Sequence, residues 1–192
     1  MKSPRGFTLV ELMVVLAVLG VIVVLAAPSL RDFILTQRLK SINAQLVTDL
    51  QFARSEAIAR RTWVRVAFRS NSSVTCYTLY TTVNNVNSVR CNCLLGAGAA
   101  CGTNATEIKT VQVPAKLSVR VTPAQSDTAF AFDHITNSIA RIPTDDFSQP
   151  VNRFMVDASI DSSRVLRTIV NRAGRTSVCS PPGSTLSEPP CT

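Results

Sequence analysis

The chain has 192 residues, of which 46% are hydrophobic, and a formal net charge of +8 with a single histidine. Once an amino-terminal helix is set aside, this length allows one domain with a real core and excludes two. The sequence has no nucleophile motif around any serine and no phosphate-binding glycine loop. We therefore expect no enzyme activity, no catalytic residue and no cofactor.

The amino terminus carries a short motif that runs into a long apolar segment. Residues 6–11 read Gly-Phe-Thr-Leu-Val-Glu, and Glu11 is the only charge between there and residue 27. A carboxylate at the mouth of a segment long enough to cross a bilayer costs roughly 3 kcal/mol if it stays ionised at depth. Glu11 is therefore expected to serve a function.

This motif resembles the class III signal of type IV pilins and type II secretion pseudopilins. In those proteins a membrane prepilin peptidase cuts after the glycine and methylates the new terminal amine. The resemblance implies that residues 1–6 are a leader peptide ending at Gly6, that Phe7 becomes the N-methylated terminus, and that Glu11 is the family's assembly glutamate.

A charge pairing between subunits would account for Glu11. After cleavage Phe7 carries a cationic amine, and Glu11 is the only anion nearby. In a filament of packed helices, the amine of one subunit and the carboxylate of a neighbour would neutralise each other in a low dielectric, where either charge alone is costly. We therefore interpret Glu11 as an assembly residue.

The apolar segment predicts a single-pass membrane anchor. Residues 7–27, the expected transmembrane and filament-core helix, match the roughly 20 residues that span a bilayer. Lys2 and Arg5 favour a cytoplasmic amino terminus, which leaves the head in the periplasm. The expected location is the bacterial inner membrane and later the pilus or pseudopilus. The alternative, an ordinary secretory signal, would need a small-residue cleavage site that Pro28 makes poor.

Beyond the anchor the pattern becomes amphipathic. Pro28 predicts a kink or a simple exit bend, because proline removes a backbone hydrogen bond and clashes with the preceding turn. Residues 28–61 then form the helix of the head, with apolar positions at spacings of three and four: Leu39, Ile42, Leu46, Leu50, Ala53 and Ala57. Residues 50–60, read together with residues 63–68, resemble the GspH, FimT and FimU branch of the pilin-like proteins.

The remainder, residues 62–192, predicts a β-rich head with a disulfide-closed tail. Short runs rich in β-branched and aromatic residues are separated by Gly, Asn, Ser and Pro clusters. The predicted strands are residues 63–69, 74–82, 108–113, 117–121, 128–132, 138–142, 154–158 and 165–170, with a last strand ending at Cys179. Residues 84–106 are the longest irregular stretch. The predicted fold class is α+β, with one long amino-terminal helix packed on an antiparallel sheet, as the GspH-like resemblance also implies.

All six cysteines lie beyond the anchor, and an even number in an exported part is typical of an oxidising compartment. Six cysteines allow 15 connectivities. We favour local pairs: Cys76–Cys91, Cys93–Cys101 and Cys179–Cys191.

Two other groups of residues are weaker candidates for a site. Cys91 and Cys93 as metal ligands would lack the usual two-residue spacer, and the lone His134 offers little support, so we expect no metal. Asp145 and Asp146 are neighbours whose side chains point to opposite sides of an extended chain, which disfavours a shared acid–base site. We interpret this pair and His134 as turn residues.

The carboxy-terminal region is strongly basic. No acid lies between residues 161 and 188, and four arginines are candidate DNA-binding residues: Arg164, Arg167, Arg172 and Arg175. Residues 171–175 read as a tight turn, on which arginines could contact phosphates independently of base sequence and in a salt-sensitive way. FimT-type DNA-binding pilins have Gly-Arg-x-Arg at this end of the chain. Here Gly174 and Arg175 match, whereas Ser177 stands at the second arginine.

The leading interpretation is a minor type IV pilin that is incorporated in or near the pilus tip and helps to start assembly. The alternatives are a FimT-like DNA-binding minor pilin for natural transformation and a GspH-like pseudopilin of type II secretion. Expected partners are other minor and major pilins, the prepilin peptidase and, before assembly, the inner membrane, with DNA as a further candidate.

Overall fold

The computed structural model describes residues 8–83, 89–142 and 151–191. Helix α1 spans Leu9–Arg60. The chain divides into two compact units, Met1–Gln37 and Arg38–Thr192, and α1 contributes to both. The predicted processing residues Gly6 and Phe7, and the acidic neighbours Asp145 and Asp146, lie outside the described residues.

The first unit is helical from Leu9 onward. No single helix in the described ranges is both long and apolar enough to cross a membrane. Leu9–Val24 and Ser29–Arg60 meet that test only together, as a bent pair, and by length and composition alone. The break between these two stretches contains Pro28, where the sequence predicts a kink or bend.

The second unit contains nine described strands in two antiparallel sheets. The strands are β1 Val64–Ser70, β2 Val74–Thr82, β3 Ala105–Pro114, β4 Arg120–Pro123, β5 Ala129–Phe132, β6 Ile139–Arg141, β7 Arg153–Ser159, β8 Val165–Asn171 and β9 Thr176–Cys179. One sheet has the order β3-β2-β1-β5-β6 and the other the order β4-β7-β8-β9. Every pairing is antiparallel. This is the predicted α+β architecture of a pilin-like head.

Strand burial follows the sequence pattern. Alternate residues of β7 and β8 are buried, so the four-stranded sheet has one face in the core. In contrast, Val64 to Phe68 of β1 are buried without alternation, because side chains of the other face of the five-stranded sheet, such as Tyr80 and Ala131, form a second apolar cluster with Cys91. The strand predicted at residues 117–121 begins later, at Arg120, because Ser118 adopts a left-handed conformation (φ 58°) after a short 3-10 turn.

Helix α1 covers the main core with the predicted stripe. Leu39, Leu46, Leu50, Ala53 and Ala57 are each at most 1% exposed, and Ile42 packs against them partly buried. The helix ends in a Schellman motif: Arg61 is left-handed (φ 51°), and the amides of residues 61 and 62 donate to the carbonyls of residues 58 and 57. The helix therefore ends at Arg60, shortly before β1 begins at Val64.

The structure corrects two of the three expected disulfides. Cys179 pairs with Cys191 as expected, but Cys76 pairs with Cys93 and Cys91 pairs with Cys101. Two contacts explain the exchange. Gln112 of β3 lies opposite Cys76 of β2, and its Nε2 donates to the Cys93 carbonyl at 2.7 Å. This hydrogen bond holds the turn that contains Cys93 over β2, near Cys76. The Asn92 amide donates to the Ala100 carbonyl at 2.6 Å, which brings the flanking cysteines together.

Because Cys91 and Cys93 are both disulfide-bonded, neither sulfur is available as a thiolate metal ligand. Within the described residues, no group of three or more His, Cys, Asp or Glu side chains is arranged to hold a metal ion. His134 lies in the turn between β5 and β6, with Nδ1 3.7 Å from Asp133 Oδ1, so its interpretation as a turn residue is confirmed.

Candidate functional site

The first candidate site is the amino-terminal end of α1. Thr8 caps the helix: its Oγ1 accepts a hydrogen bond from the Glu11 amide at 3.3 Å, and its carbonyl accepts from the Leu12 amide at 3.2 Å. Thr-x-x-Glu at a helix start is the sequence of a capping box. Glu11 also lies in the first turn, where the helix dipole favours a negative charge.

The surface around Glu11 is apolar and uncovered. The large apolar side chains described between Leu9 and Val24 are 46–72% exposed, on every side of the helix. Glu11 is itself exposed, and it forms no ion pair with any residue of the described ranges. A helix that is hydrophobic all round requires an apolar surrounding, either lipid or other helices. The site therefore combines a helix that requires an apolar surrounding with a carboxylate that has no cation among the described residues.

The second candidate site is the turn between β8 and β9. Asn171 organises this turn: its Oδ1 accepts from the Arg175 amide at 3.0 Å, and its carbonyl accepts from the Gly174 amide at 2.8 Å. Gly174 has φ +69°, which strongly favours glycine. The carbonyl of Arg172 accepts from the amide of Ile139, at the start of β6, at 3.0 Å. The turn is thus a fixed platform for arginine side chains.

Two of the four predicted arginines are neutralised within the head. Arg164 donates through Nε and Nη2 to Asp161 Oδ2, at 2.9 and 2.7 Å. These bonds, the strongest cause, lower the pKa of Asp161 to about 2. Arg167 binds its cross-strand partner Asp157 with two bonds of 2.7 and 2.8 Å, and this bidentate contact raises the pKa of the guanidinium. Neither cation is available to an external anion without breaking a pair.

Arg172 and Arg175 differ from that pair. Both are exposed, and neither is ion-paired to a residue in the part of the chain that the structure describes. Ser177, which stands at the second arginine of the FimT-type motif, is exposed on β9. The sequence reasoning missed Arg54 of α1, whose Nε lies 3.1 Å from the position that a Cβ on Gly174 would occupy. No local signal connects these residues, because they are far apart in the sequence.

Among the described residues of the head, several arginines have no ion pair, whereas most carboxylates are engaged. Seven carboxylates are engaged by cations, hydroxyls or backbone amides: Asp49, Glu56, Glu107, Asp133, Asp157, Asp161 and Glu188. By contrast, Arg54, Arg172 and Arg175 have no ion pair within residues 8–83, 89–142 and 151–191. Such a surface repels a second copy of itself and favours an acidic partner.

The fold and the first site together define a class of protein. An apolar helix with a capped glutamate in its first turn continues into a helix packed on antiparallel sheets, which is the architecture of a membrane-anchored, type IV pilin-like subunit. This is a structural, non-enzymatic type of protein.

Comparison with known proteins identifies the family. Residues 1–27 match the prokaryotic N-terminal methylation motif. Residues 43–174, more than half of the chain, match the family described as type II transport protein GspH. The chain belongs to the GspH family, which comprises minor pilins and pseudopilins. Membership implies contact with other pilins and processing by a prepilin peptidase.

The fold is also similar to that of solved structures. Two crystal structures of the type IV minor pilin FimU from Pseudomonas aeruginosa (strain PAO1) are similar to this chain, each at 11% identity. One covers 75% of this chain and 90% of its own with a TM-score of 0.49, and the other covers 73% and 92% with a TM-score of 0.46. No curated protein sequence matches the chain.

Proposed function

We propose that this chain is a minor type IV pilin that enters the pilus at or near its tip and helps to start assembly. The proposal includes cleavage of residues 1–6 after Gly6, methylation of Phe7, and a single-pass anchor in the bacterial inner membrane with the head in the periplasm. It includes no catalytic activity, and the partners are other minor and major pilins.

One observation carries this proposal: the apolar side chains of Leu9–Val24 are exposed around a carboxylate that has no counter-ion within the described ranges. Burying one large apolar side chain contributes about 1.5–3 kcal/mol. That contribution keeps the helix out of water, either in lipid or among other helices, and does not by itself favour one over the other. Glu11 favours the filament, because an ionised carboxylate is costly in lipid and the methylated amine of a neighbouring subunit would supply the cation that Glu11 lacks.

The experiment compares Glu11→Gln with Glu56→Gln in the native host. Glu11→Gln keeps the side-chain shape and removes the charge, whereas Glu56→Gln removes an equal charge from the same helix, where it pairs with Arg60. We expect both variants to carry a methylated Phe7 by mass spectrometry, and only Glu11→Gln to be depleted from sheared filaments. Normal incorporation of Glu11→Gln would contradict the assembly role.

A pseudopilin of type II secretion is the second candidate, because the family that residues 43–174 match is described as a type II transport protein. Deletion of the gene separates the two systems. Loss of surface pili or of twitching supports the pilus subunit. Loss of exoprotein secretion with intact pili would reject it in favour of the pseudopilin.

A DNA-binding minor pilin is the third candidate, favoured by the exposed Arg172 and Arg175 on a rigid turn. The test is a mobility-shift titration of the detergent-solubilised chain with duplex DNA at two salt concentrations, beside Arg172→Ala/Arg175→Ala. Binding that weakens with salt and is lost in the double variant supports this role. The absence of a shift at micromolar protein would reject it.

A further inference from the structure

A groove of about 450 Å³ runs between α1 and the β8–β9 turn, with Arg54 in one wall and Arg175 in the other. The other lining residues are Gln51, Ser55, Ile58, Gly174 and Thr176. No carboxylate is among these residues. The two walls are fastened across the groove, since Gln51 Nε2 donates to Thr176 Oγ1 at 3.2 Å. The groove thus brings together two cations from elements that are distant in sequence.

The side chain of Arg54 packs against the turn at Gly174, but its Nε lacks a hydrogen-bond partner. Its Nε is buried and has no hydrogen-bond partner, and its Cδ lies 3.3 Å from the position that a Cβ on Gly174 would occupy. The guanidinium makes no ion pair within the described residues. Because Arg54 is half-buried and its Nε has no acceptor, part of the desolvation of its guanidinium has already occurred, so an incoming anion displaces less water from Arg54 than from a fully hydrated guanidinium.

Arg175 faces the same groove from the turn. Its backbone is fixed by Asn171, with hydrogen bonds at the Arg175 amide and carbonyl of 3.0 and 2.9 Å. A fixed backbone lowers the conformational entropy that is lost when the side chain binds a ligand. Planar guanidinium groups match the geometry of phosphate oxygens and form bidentate bonds with them.

The remaining lining suits a polymer. The groove is open to solvent, and Ile58, which is 49% exposed, adds an apolar surface beside the two cations. The side chains of Gln51, Ser55 and Thr176 are neutral and add hydrogen-bonding capacity. A chain of phosphodiesters presents anionic oxygens that alternate with apolar sugar faces, and both kinds of surface are available here.

We propose that Arg54 and Arg175 form a phosphodiester-binding groove, in which α1 supplies one wall and the β8–β9 turn supplies the other. The inference rests on the DNA-binding candidate above and adds α1 to its binding surface. A second copy of this chain is a poor occupant, because the seven carboxylates named above are already bound within their own head and are not free to enter the groove of another copy.

The test uses the full processed chain in a non-ionic detergent and measures the anisotropy of a fluorescent DNA duplex over a range of salt concentrations. Arg54→Gln and Arg175→Gln are compared with Arg69→Gln, which removes an exposed guanidinium from a different groove. We expect each groove variant to bind about tenfold more weakly, the loss of one charge-assisted contact. Each variant should also reduce the slope of the logarithm of the affinity against the logarithm of the salt concentration by about one. Arg69→Gln should change neither quantity.

The outcomes separate this inference from the candidate on which it rests. If the unmodified chain does not bind the duplex, the DNA-binding role and the groove both fail. If it binds and Arg54→Gln binds equally well, only the groove fails, and the turn acts without α1. Polyglutamate that competes as well as duplex DNA, charge for charge, would identify an acidic protein as the occupant and overturn the phosphodiester assignment. Thermal unfolding of each variant checks that the fold is retained.

Discussion

The carboxylate of Asp49 in α1, which is 2% exposed, accepts a hydrogen bond from the hydroxyl of Tyr77 in β2 at 2.8 Å. Lys109 of β3 donates to the other oxygen of Asp49 at 2.6 Å. Burial raises the pKa of the Tyr77 hydroxyl above its ordinary value, and the hydrogen bond to Asp49 and the negative charge of Asp49 raise it further. One buried acid therefore fastens the helix to two strands of the larger sheet.

Tyr77→Phe should lower the free energy of unfolding by about 1–3 kcal/mol, because one oxygen of a buried carboxylate loses its donor. Tyr80→Phe is the matched control, since its hydroxyl donates a long bond of 3.4 Å to the Val89 carbonyl and accepts from the Cys91 backbone amide, and neither partner is a charged group. Chemical denaturation of both variants measures the difference. Equal destabilisation would show that the Asp49 contact contributes no more than an ordinary buried hydroxyl.

Leu50→Ala should destabilise the head by about 2–5 kcal/mol, because it opens a cavity under α1, where Leu50 is fully buried. Phe52→Ala, two residues further along the same helix, removes a side chain that is 41% exposed and should cost less. The midpoints of urea unfolding give the comparison. A larger loss for Phe52→Ala would mean that the opposite face of the helix is the packed one.

Arg164→Gln should raise the pKa of Asp161 from about 2 toward its ordinary value of 3.8, because the largest cause of the lowering is the hydrogen bonding from Arg164. The sign follows from linkage. A carboxyl with a lowered folded-state pKa stabilises the fold above its ordinary pKa, and this contribution is lost as the pH falls through the folded value. Carboxyl chemical shifts followed by NMR measure the change, and an unchanged pKa would contradict the assignment.

Cys76→Ser should release a thiol at Cys93, since these two residues are paired in the structure. Alkylation followed by tandem mass spectrometry locates the modified residue. Modification at Cys91 would support the pairing predicted from the sequence instead. As a control, Cys179→Ser should release a thiol at Cys191 under either connectivity.

Gly6→Val should leave the precursor uncut, because we propose that Gly6 is the last residue of the leader. Immunoblotting of membranes would then show the longer form. A mature, methylated Phe7 in this variant, detected by mass spectrometry, would contradict the assigned cleavage position.

The sequence by itself determined the class of this protein and most of its elements. The amino-terminal motif, the apolar stripe that includes Leu46 and Leu50, and the short β-rich runs are local patterns, and local periodicity reports which face of a helix or strand is buried. The predicted helix and strands are therefore found close to their expected positions, and the largest displacements are the starts of β3, at Ala105 instead of residue 108, and of β4, at Arg120 instead of residue 117.

Tertiary structure decided what depends on residues distant in the chain. Arg167 is neutralised because strand register sets it opposite Asp157, and Cys76 meets Cys93 because Gln112 holds a turn over β2. Arg54 reaches the β8–β9 turn only because the helix packs beside both sheets; a neighbouring contact in that groove spans 125 residues. Such pairings follow from the packing of whole elements, so composition and spacing alone do not specify them.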